Sequence, residues 1–253
     1  MSDSIYPSVA KVYDLLNDGI DYKEWAKYIK RVVDKYSTVP VKLVLDLGCG
    51  TGKMTFALRD LGYDMTGVDI SPEMLAEAES VCKKKRIKDV LWLCQDMTSF
   101  ELYGTVDAAV CCLDGINHLT GASDVRRCFD LVHNYLVPGG LFIFDLNTPL
   151  KFETVYGEND YVLEDDGVLL AWQNSYNPKT KQCDFFVTVF TENPDGTYDR
   201  ADSSQRERCY TERSVRRLLA DAGFELLFIS SDYSDSPAAP DAERWYVAAR
   251  CVK

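Results

Sequence analysis

The spacing of apolar positions changes near residue 40, and the change separates regions of different architecture. Over the first 36 residues apolar side chains recur every three to four positions. Val9, Val12, Tyr13 and Leu16 mark one helix, and Asp21 is placed to cap a second that carries Trp25, Tyr28, Ile29 and Val32 on one face. From residue 41 onward short, nearly continuous apolar runs alternate with helical stripes. Residues 41–47, 65–70, 90–94, 106–113 and 141–146 read as strands. Met54, Ala57, Leu58 and Leu61 form a helix stripe that Gly62 stops. Ser71 is a natural N-cap, with Pro72 at the first helical position and Met74, Leu75 and Ala78 facing inward. Residues 124–136 supply the helix before the fifth strand, closed by Pro138-Gly139-Gly140. Strands this apolar are buried on both faces, so the alternation predicts a doubly wound α/β domain with a parallel sheet and right-handed crossovers.

After Pro149 the rhythm shortens. Residues 168–172 and 185–190 are aromatic and β-rich, and Asp166-Gly167, Asn177-Pro178 and Asp195-Gly196 supply turns at close spacing. That pattern predicts an antiparallel meander, a lobe over residues 151–210 inserted into the α/β core. Thr211 then caps a helix with Val215, Leu218, Leu219 and Ala222 on one face, and residues 224–229 and 245–251 give two last strands.

Composition narrows the class. With 253 residues, 46% of them hydrophobic and 27% charged, the chain can bury one large core and a small second lobe. No apolar run approaches the ~18 residues of a membrane span. Met1-Ser2-Asp3-Ser4 does not open a basic-then-apolar leader, so a cytoplasmic protein without a membrane partner is expected. The nine cysteines are odd in number and include no C-x-x-C, which predicts buried thiols in a reducing compartment. His118 and His133 have no cysteines at ligand spacing, so no metal site is expected. A net charge of −12 repels phosphate backbones and disfavours nucleic acid as a partner. The longest basic run, Lys83-Lys84-Lys85-Arg86, falls where it complements the negative end of a helix dipole.

The chemistry is concentrated in Leu45-Asp46-Leu47-Gly48-Cys49-Gly50-Thr51-Gly52, at the first strand-to-helix junction, where an open α/β sheet has its ligand crevice. Asp69, at the end of the second strand, follows Gly48 by 21 residues, the usual offset for a carboxylate that binds ribose hydroxyls. An adenosine-containing cofactor follows. The glycine spacing is G-x-G-x-G, not the dinucleotide G-x-G-x-x-G, and Asp46 stands two positions before the first glycine. A carboxylate there would repel a pyrophosphate and attract an ammonium group, which points to a cofactor with a cationic amino-acid tail.

Residues 44–52 resemble the first motif of the class I S-adenosylmethionine-dependent methyltransferases, and Asp69-Ile70-Ser71-Pro72-Glu73-Met74-Leu75 resembles their second-strand end. Gln95-Asp96-Met97 and Leu136-Val137-Pro138-Gly139-Gly140 are similar to two further family hallmarks. A narrower resemblance rests on Tyr13-Asp14, Asp21-Tyr22-Lys23-Glu24-Trp25, Cys112-Leu113-Asp114-Gly115-Ile116-Asn117 and Arg208-Cys209-Tyr210-Thr211. It is to a bacterial small-molecule branch similar to glycine N-methyltransferase and the amino-sugar N-methyltransferases. The resemblance implies a mostly parallel, seven-stranded Rossmann-like sheet formed by residues 1–150 and 211–253, with residues 1–36 capping the site and the 151–210 lobe covering the substrate. It implies S-adenosyl-L-methionine as cofactor, S-adenosyl-L-homocysteine as product and a small-molecule acceptor, an amine, with the chain a monomer or homodimer.

The same resemblance assigns roles. Gly48, Cys49 and Gly50 would pass under the methionine tail and ribose, and Asp69 would hold the ribose. Ile70 and Met74 would pack the adenine, Asp96 and the Met97 backbone would meet its amino group, and Leu113 would lie near the sulfonium. Tyr13 and Trp25 would close over the cofactor, and His118 or Tyr13 could take a proton from an amine acceptor. Plainer readings stand beside these: Tyr13 and Trp25 as core residues, Asp96 as a cap, His118 as a structural histidine, Trp172 and Tyr210 as packing. Four rival functions also remain open at this level: an NAD-dependent oxidoreductase, a transferase of another group such as aminopropyl, a silent cofactor-binding protein, and a tRNA or protein methyltransferase.

Overall fold

The computed structural model describes residues 19–157, 159–165 and 167–253. The helix expected around Val9, Val12, Tyr13 and Leu16 lies outside them. The first described helix, α1 (Tyr22–Tyr36), begins as its sequence predicts: the Asp21 carboxylate accepts from the Lys23 and Glu24 amides, and Trp25, Tyr28, Ile29 and Val32 are buried. Then come β1 (Leu43–Leu47), α2 (Lys53–Arg59), β2 (Asp64–Asp69), α3 (Pro72–Lys85), β3 (Val90–Cys94), β4 (Val106–Cys111), α4 (Ala122–Tyr135) and β5 (Leu136–Asn147). After the lobe, α5 (Glu212–Asp221), β10 (Phe224–Ser230) and β11 (Arg244–Cys251) complete the domain.

The seven-stranded sheet has the order β10-β11-β5-β4-β1-β2-β3. β1 to β5 run parallel, and β11 joins β5 antiparallel with β10 antiparallel beyond it. Successive strand residues feed opposite layers, as the pleat requires. Val44, Met65, Val110 and Ile143 pack under α1 and α2, while Leu45, Leu47, Phe142 and Phe144 pack under α4 and α5. Each large side chain so buried stabilises the fold by roughly 1.5–3 kcal/mol. Among the described residues no helix is long and apolar enough to cross a membrane.

Two details differ from the pattern-based reading. The fifth strand starts at Leu136, so Pro138-Gly139-Gly140 lies inside a strand and does not simply end a helix. The β4–β5 register jumps there from Val106↔Leu136 to Ala108↔Leu141. A proline without an N–H and a glycine at φ +82° are absorbed by that bulge. The β3–β4 connection carries no helix, which leaves Leu91 and Leu43 exposed on that face of the sheet.

The inserted lobe is a four-stranded meander of β6 (Asp160–Asp165), β7 (Val168–Asn177), β8 (Gln182–Glu192) and β9 (Tyr198–Arg208). Apolar runs announce β7 and β8. β9 reads Tyr-Asp-Arg-Ala-Asp-Ser-Ser-Gln-Arg-Glu-Arg, and its extended form comes from unbroken pairing with β8 between Gln182↔Arg208 and Glu192↔Tyr198. Phe152, Tyr156, Cys183 and Phe185 form a small core that ties the lobe to a π-helical turn (Lys151–Tyr156) leaving β5. All nine cysteines are thiols; seven are buried, Cys82 is half-buried and Cys94 exposed.

Candidate active site

The glycine loop leaves β1 through three left-handed glycines, Gly48, Gly50 and Gly52, at φ +67°, +54° and +80°. A side chain at any of them would strain the turn. The Gly48 and Cys49 amides both donate to the Val68 carbonyl, at 2.8 and 3.1 Å, which lashes the loop to β2. Asp69 completes the lashing. Its Oδ2 accepts from the Gly50 amide at 2.8 Å and its Oδ1 from the Ser71 amide at 2.9 Å. Ser71 in turn caps α3 by accepting from the Met74 amide at 3.2 Å. One carboxylate thus joins the glycine loop to the start of the next helix.

Asp46 is 1% exposed and receives the Thr55 hydroxyl at 2.5 Å. Burial pushes its carboxyl up to about 7, with the Thr55 hydrogen bond opposing and Asp69 adding to the rise. Asp46, Gly48, Cys49, Met54 and Leu113 share one small crevice. A dehydrated carboxylate beside open backbone is relieved by an incoming cation, so the donor set suits a ligand with an ammonium tail. Because such a ligand needs Asp46 ionised, a proton must leave whenever binding occurs below pH 7. Affinity for S-adenosylmethionine is therefore expected to fall roughly tenfold between about pH 8 and about pH 6. Calorimetry at the two pH values checks this, and Asp46→Asn should flatten the profile.

The other sequence-derived residues fall as follows. Ile70, beyond the end of β2, is 66% exposed, and Met74 is half-buried in the first turn of α3. The Asp96 carboxylate accepts from the Thr98 amide at 2.7 Å, a local turn that caps the loop after β3. The Met97 methyl lies 3.4 Å from where a Cβ on Gly48 would stand. Cys49 is buried, and burial raises its thiol far above the ordinary range, so it is no nucleophile. Trp25 is packed in the core, edge-on to Tyr246 at 5.5 Å, and lines neither cavity of the site. Its helical stripe belongs to the core. Tyr210 is likewise buried, its hydroxyl donating to the Leu119 carbonyl. Tyr13 lies outside the described residues.

A second cavity, about 400 Å³, opens between the sheet and the lobe. Leu113 lines both this cavity and the glycine-loop crevice. His118, Tyr156, Trp172, Lys151 and Glu207 contribute further walls, so Trp172 faces the cavity while also packing in the lobe. Leu113 and Asp114 both adopt left-handed backbone, at φ +60° and +52°. They are held there by an ion network buried at Asp145 and half-buried at Asp114 and Arg244: the Asp114 amide donates to Asp145 Oδ2 at 3.0 Å, and Arg244 pairs with Asp114 at 2.9 Å and with Asp145. Burial opposes the charge of Arg244, yet Asp145 and Asp114 hold it protonated. Burial alone would raise Asp114, but Arg244, with Lys151 and His118, draws it below the usual range. Burial pushes Asp145 up to about 6 against the pull of Arg244.

Asp114, Asp145, Arg244, Lys151 and Glu207 were given no role by the sequence. Asp145 carried a signal, being the one acid in the apolar run Leu-Phe-Ile-Phe-Asp-Leu. Glu207 carried none, because it sits in Gln-Arg-Glu-Arg among exposed neighbours.

Known proteins match this geometry. A family model described as a methyltransferase domain matches residues 44–140. YqeM of Bacillus subtilis (strain 168), named as a methyltransferase, is 30% identical over 253 residues covering 98% of each chain. The crystal structure of an S-adenosylmethionine-dependent methyltransferase from Clostridium acetobutylicum ATCC 824 superposes with a TM-score of 0.88 at 30% identity, over 96% of this chain and 98% of that one. A more distant relative, the dTDP-3-amino-3,6-dideoxy-alpha-D-glucopyranose N,N-dimethyltransferase of Streptomyces fradiae, is 25% identical over 224 residues, 87% of this chain and 85% of that protein. On these matches, and with the glycine loop and sheet order described above, the chain belongs to the class I S-adenosylmethionine-dependent methyltransferases.

Proposed function

We propose that the acceptor of this methyltransferase is a small molecule, an amine, seated in the cavity between the sheet and the lobe. The observation that carries the reading is Leu113, the shared wall between that cavity and the glycine-loop crevice. A volume of about 400 Å³ suits a metabolite-sized ligand. The net charge of −12 disfavours tRNA further. The Streptomyces fradiae relative acts, by its name, on an amino sugar, which favours nitrogen as the attacked atom.

When bound, S-adenosylmethionine supplies a methyl group already activated on a sulfonium. The chain's share of the work is therefore placement. Asp46 would hold the ammonium tail, Gly48, Cys49 and Gly50 would pass beneath it, and Asp69 would hold the ribose. Ile70, Met74, Asp96 and Met97 would surround the adenine. Trp172 and Tyr156 keep water from the acceptor and fix its approach past Leu113. His118, whose side chain is 37% exposed at the cavity wall, is proposed to lie on the path by which the acceptor's proton leaves, with Tyr13 as its counterpart.

The test is S-adenosylhomocysteine release with pooled small amines, matched alcohols, bulk tRNA and a protein lysate. Release with small amines is the expected result. Release with tRNA or protein alone would overturn the reading.

A further inference from the structure

Among the described residues, Glu207 is the carboxylate lining this cavity that has no lysine or arginine partner. Asp114 and Asp145 share Arg244. Glu207 is 3% exposed, reaches in from the end of β9, and among the described residues has no lysine or arginine within 4.0 Å. Its Oε2 accepts from the Asn147 amide at 3.2 Å. Lys151 reaches the other end of that amide, 2.9 Å from Asn147 Oδ1, and so touches Glu207 only through it. Glu207 Oε1 faces His118 Nε2 at 4.0 Å, too far for a hydrogen bond and open to one more donor. The groups facing it are Asp114 and His118 from the turn after β4, Asn147 from β5, Lys151 and Tyr156 from the π-helical turn, and Arg244 from β11. Burial and then Asp114 push its carboxyl well up, against Asn147, Lys151 and Arg244.

Two kinds of cation could answer this. The ligand atoms of Asp114, His118 and Glu207 lie within 4.8 Å of one another, a spacing a divalent metal could span. Charge decides against it. Counted with Glu207 ionised, Asp114, Asp145 and Glu207 set three negative charges against Arg244 and Lys151, so one positive charge matches Glu207 where a dication would overshoot. Asp114 has also already given an oxygen to Arg244. A monocation that donates hydrogen bonds balances the site.

We infer that Glu207 binds the acceptor's ammonium group and takes its proton, with His118 as the exit for that proton. The inference rests on the small-amine reading of the cavity. One N–H bond of the ammonium breaks, its electron pair stays on nitrogen as the attacking lone pair, and the proton passes to Glu207 Oε1. His118, more exposed than Glu207, carries it outward.

The test uses the whole chain loaded with S-adenosylhomocysteine and follows ring C–H resonances of His118, which is simple because the chain has only two histidines. The probe is cyclohexylammonium, with cyclohexanol as the uncharged match and manganese(II) as the dication. Cyclohexylammonium should shift His118 and leave His133 in place, while cyclohexanol should do neither. Glu207→Gln should weaken the ammonium response at least tenfold and remove the proton release seen by calorimetry in buffers of different ionisation heat, and Glu207→Asp should restore part of both. Equal responses to ammonium and alcohol, no response to ammonium, unchanged binding in Glu207→Gln, or selective broadening of His118 by micromolar manganese would each overturn the inference. Should Glu207→Gln fail to fold, the ammonium–alcohol comparison on the native protein decides alone. Methyl transfer to a small alcohol at a rate indifferent to Glu207→Gln would retain the small-acceptor reading and remove this one.

Discussion

Asp69→Ala is expected to lower the affinity for S-adenosylmethionine by roughly 100-fold or more, since two lost charge-assisted hydrogen bonds at 1.5–3 kcal/mol each exceed that factor. The loss has two sources. The alanine removes the carboxylate proposed to hold the ribose, and it unties the Gly50 amide from the Ser71 amide, both of which donate to Asp69. With those anchors gone, the loop must be reordered each time the cofactor binds. Calorimetry with the native chain as reference and NAD as a silent control measures the effect. Asp69→Asn keeps one acceptor oxygen and turns the other into a donor, so it should keep one of the two backbone contacts and lose less affinity than the alanine. An affinity within a few-fold of native would mean that the glycine loop holds its shape unaided and that Asp69 does not touch the cofactor.

Arg244→Met is expected to destabilise the protein by about 3 kcal/mol, the lower end of what removing one partner from a buried ion group costs, since Asp145 is buried while Arg244 and Asp114 are half-buried. Two carboxylates, Asp114 and Asp145, would lose their shared cation, and Asp145 Oδ1 already has no hydrogen-bond partner among the described residues. The strained backbone at Leu113 and Asp114 would lose part of what holds it, so the cavity wall would loosen along with the fold. Urea denaturation reads the stability change. Adding Asp114→Asn and Asp145→Asn should return most of it, since neutral amides need no counter-ion. The deficit should shrink as pH falls. Asp145 binds its proton more tightly folded than unfolded, so its ionisation weighs on the fold progressively as pH rises through about 6, and losing Arg244 sharpens that penalty. A variant as stable as native at neutral pH would show that the network carries no net stability.

The glycine loop was readable before folding because everything it needs is local. Gly48, Gly50 and Gly52 must be glycines to adopt left-handed turns, and strand β2 delivers Asp69 to the same edge by parallel pairing with β1. The Asp21 and Ser71 caps were equally readable, since a capping side chain answers amides two or three residues away. Local pattern failed where one stripe serves two purposes. Trp25 sits on a helical face whether that face meets a cofactor or a core, and its packing against Tyr246 and Tyr233 comes from the far end of the chain. β9 failed differently: it has almost no apolar alternation, and its partner β8 makes it a strand.

The cavity between sheet and lobe belongs wholly to the tertiary structure. Leu113, Lys151, Glu207 and Arg244 arrive from four elements spread over more than half the chain, and no spacing rule connects them. What the sequence determined by itself was the cofactor end of the protein, because backbone turns, caps and strand ends obey short-range sterics and hydrogen bonding. What only the folded chain decided was the cavity between sheet and lobe, because burial and the meeting of distant elements set Glu207, surface-like in its local sequence, inside its wall.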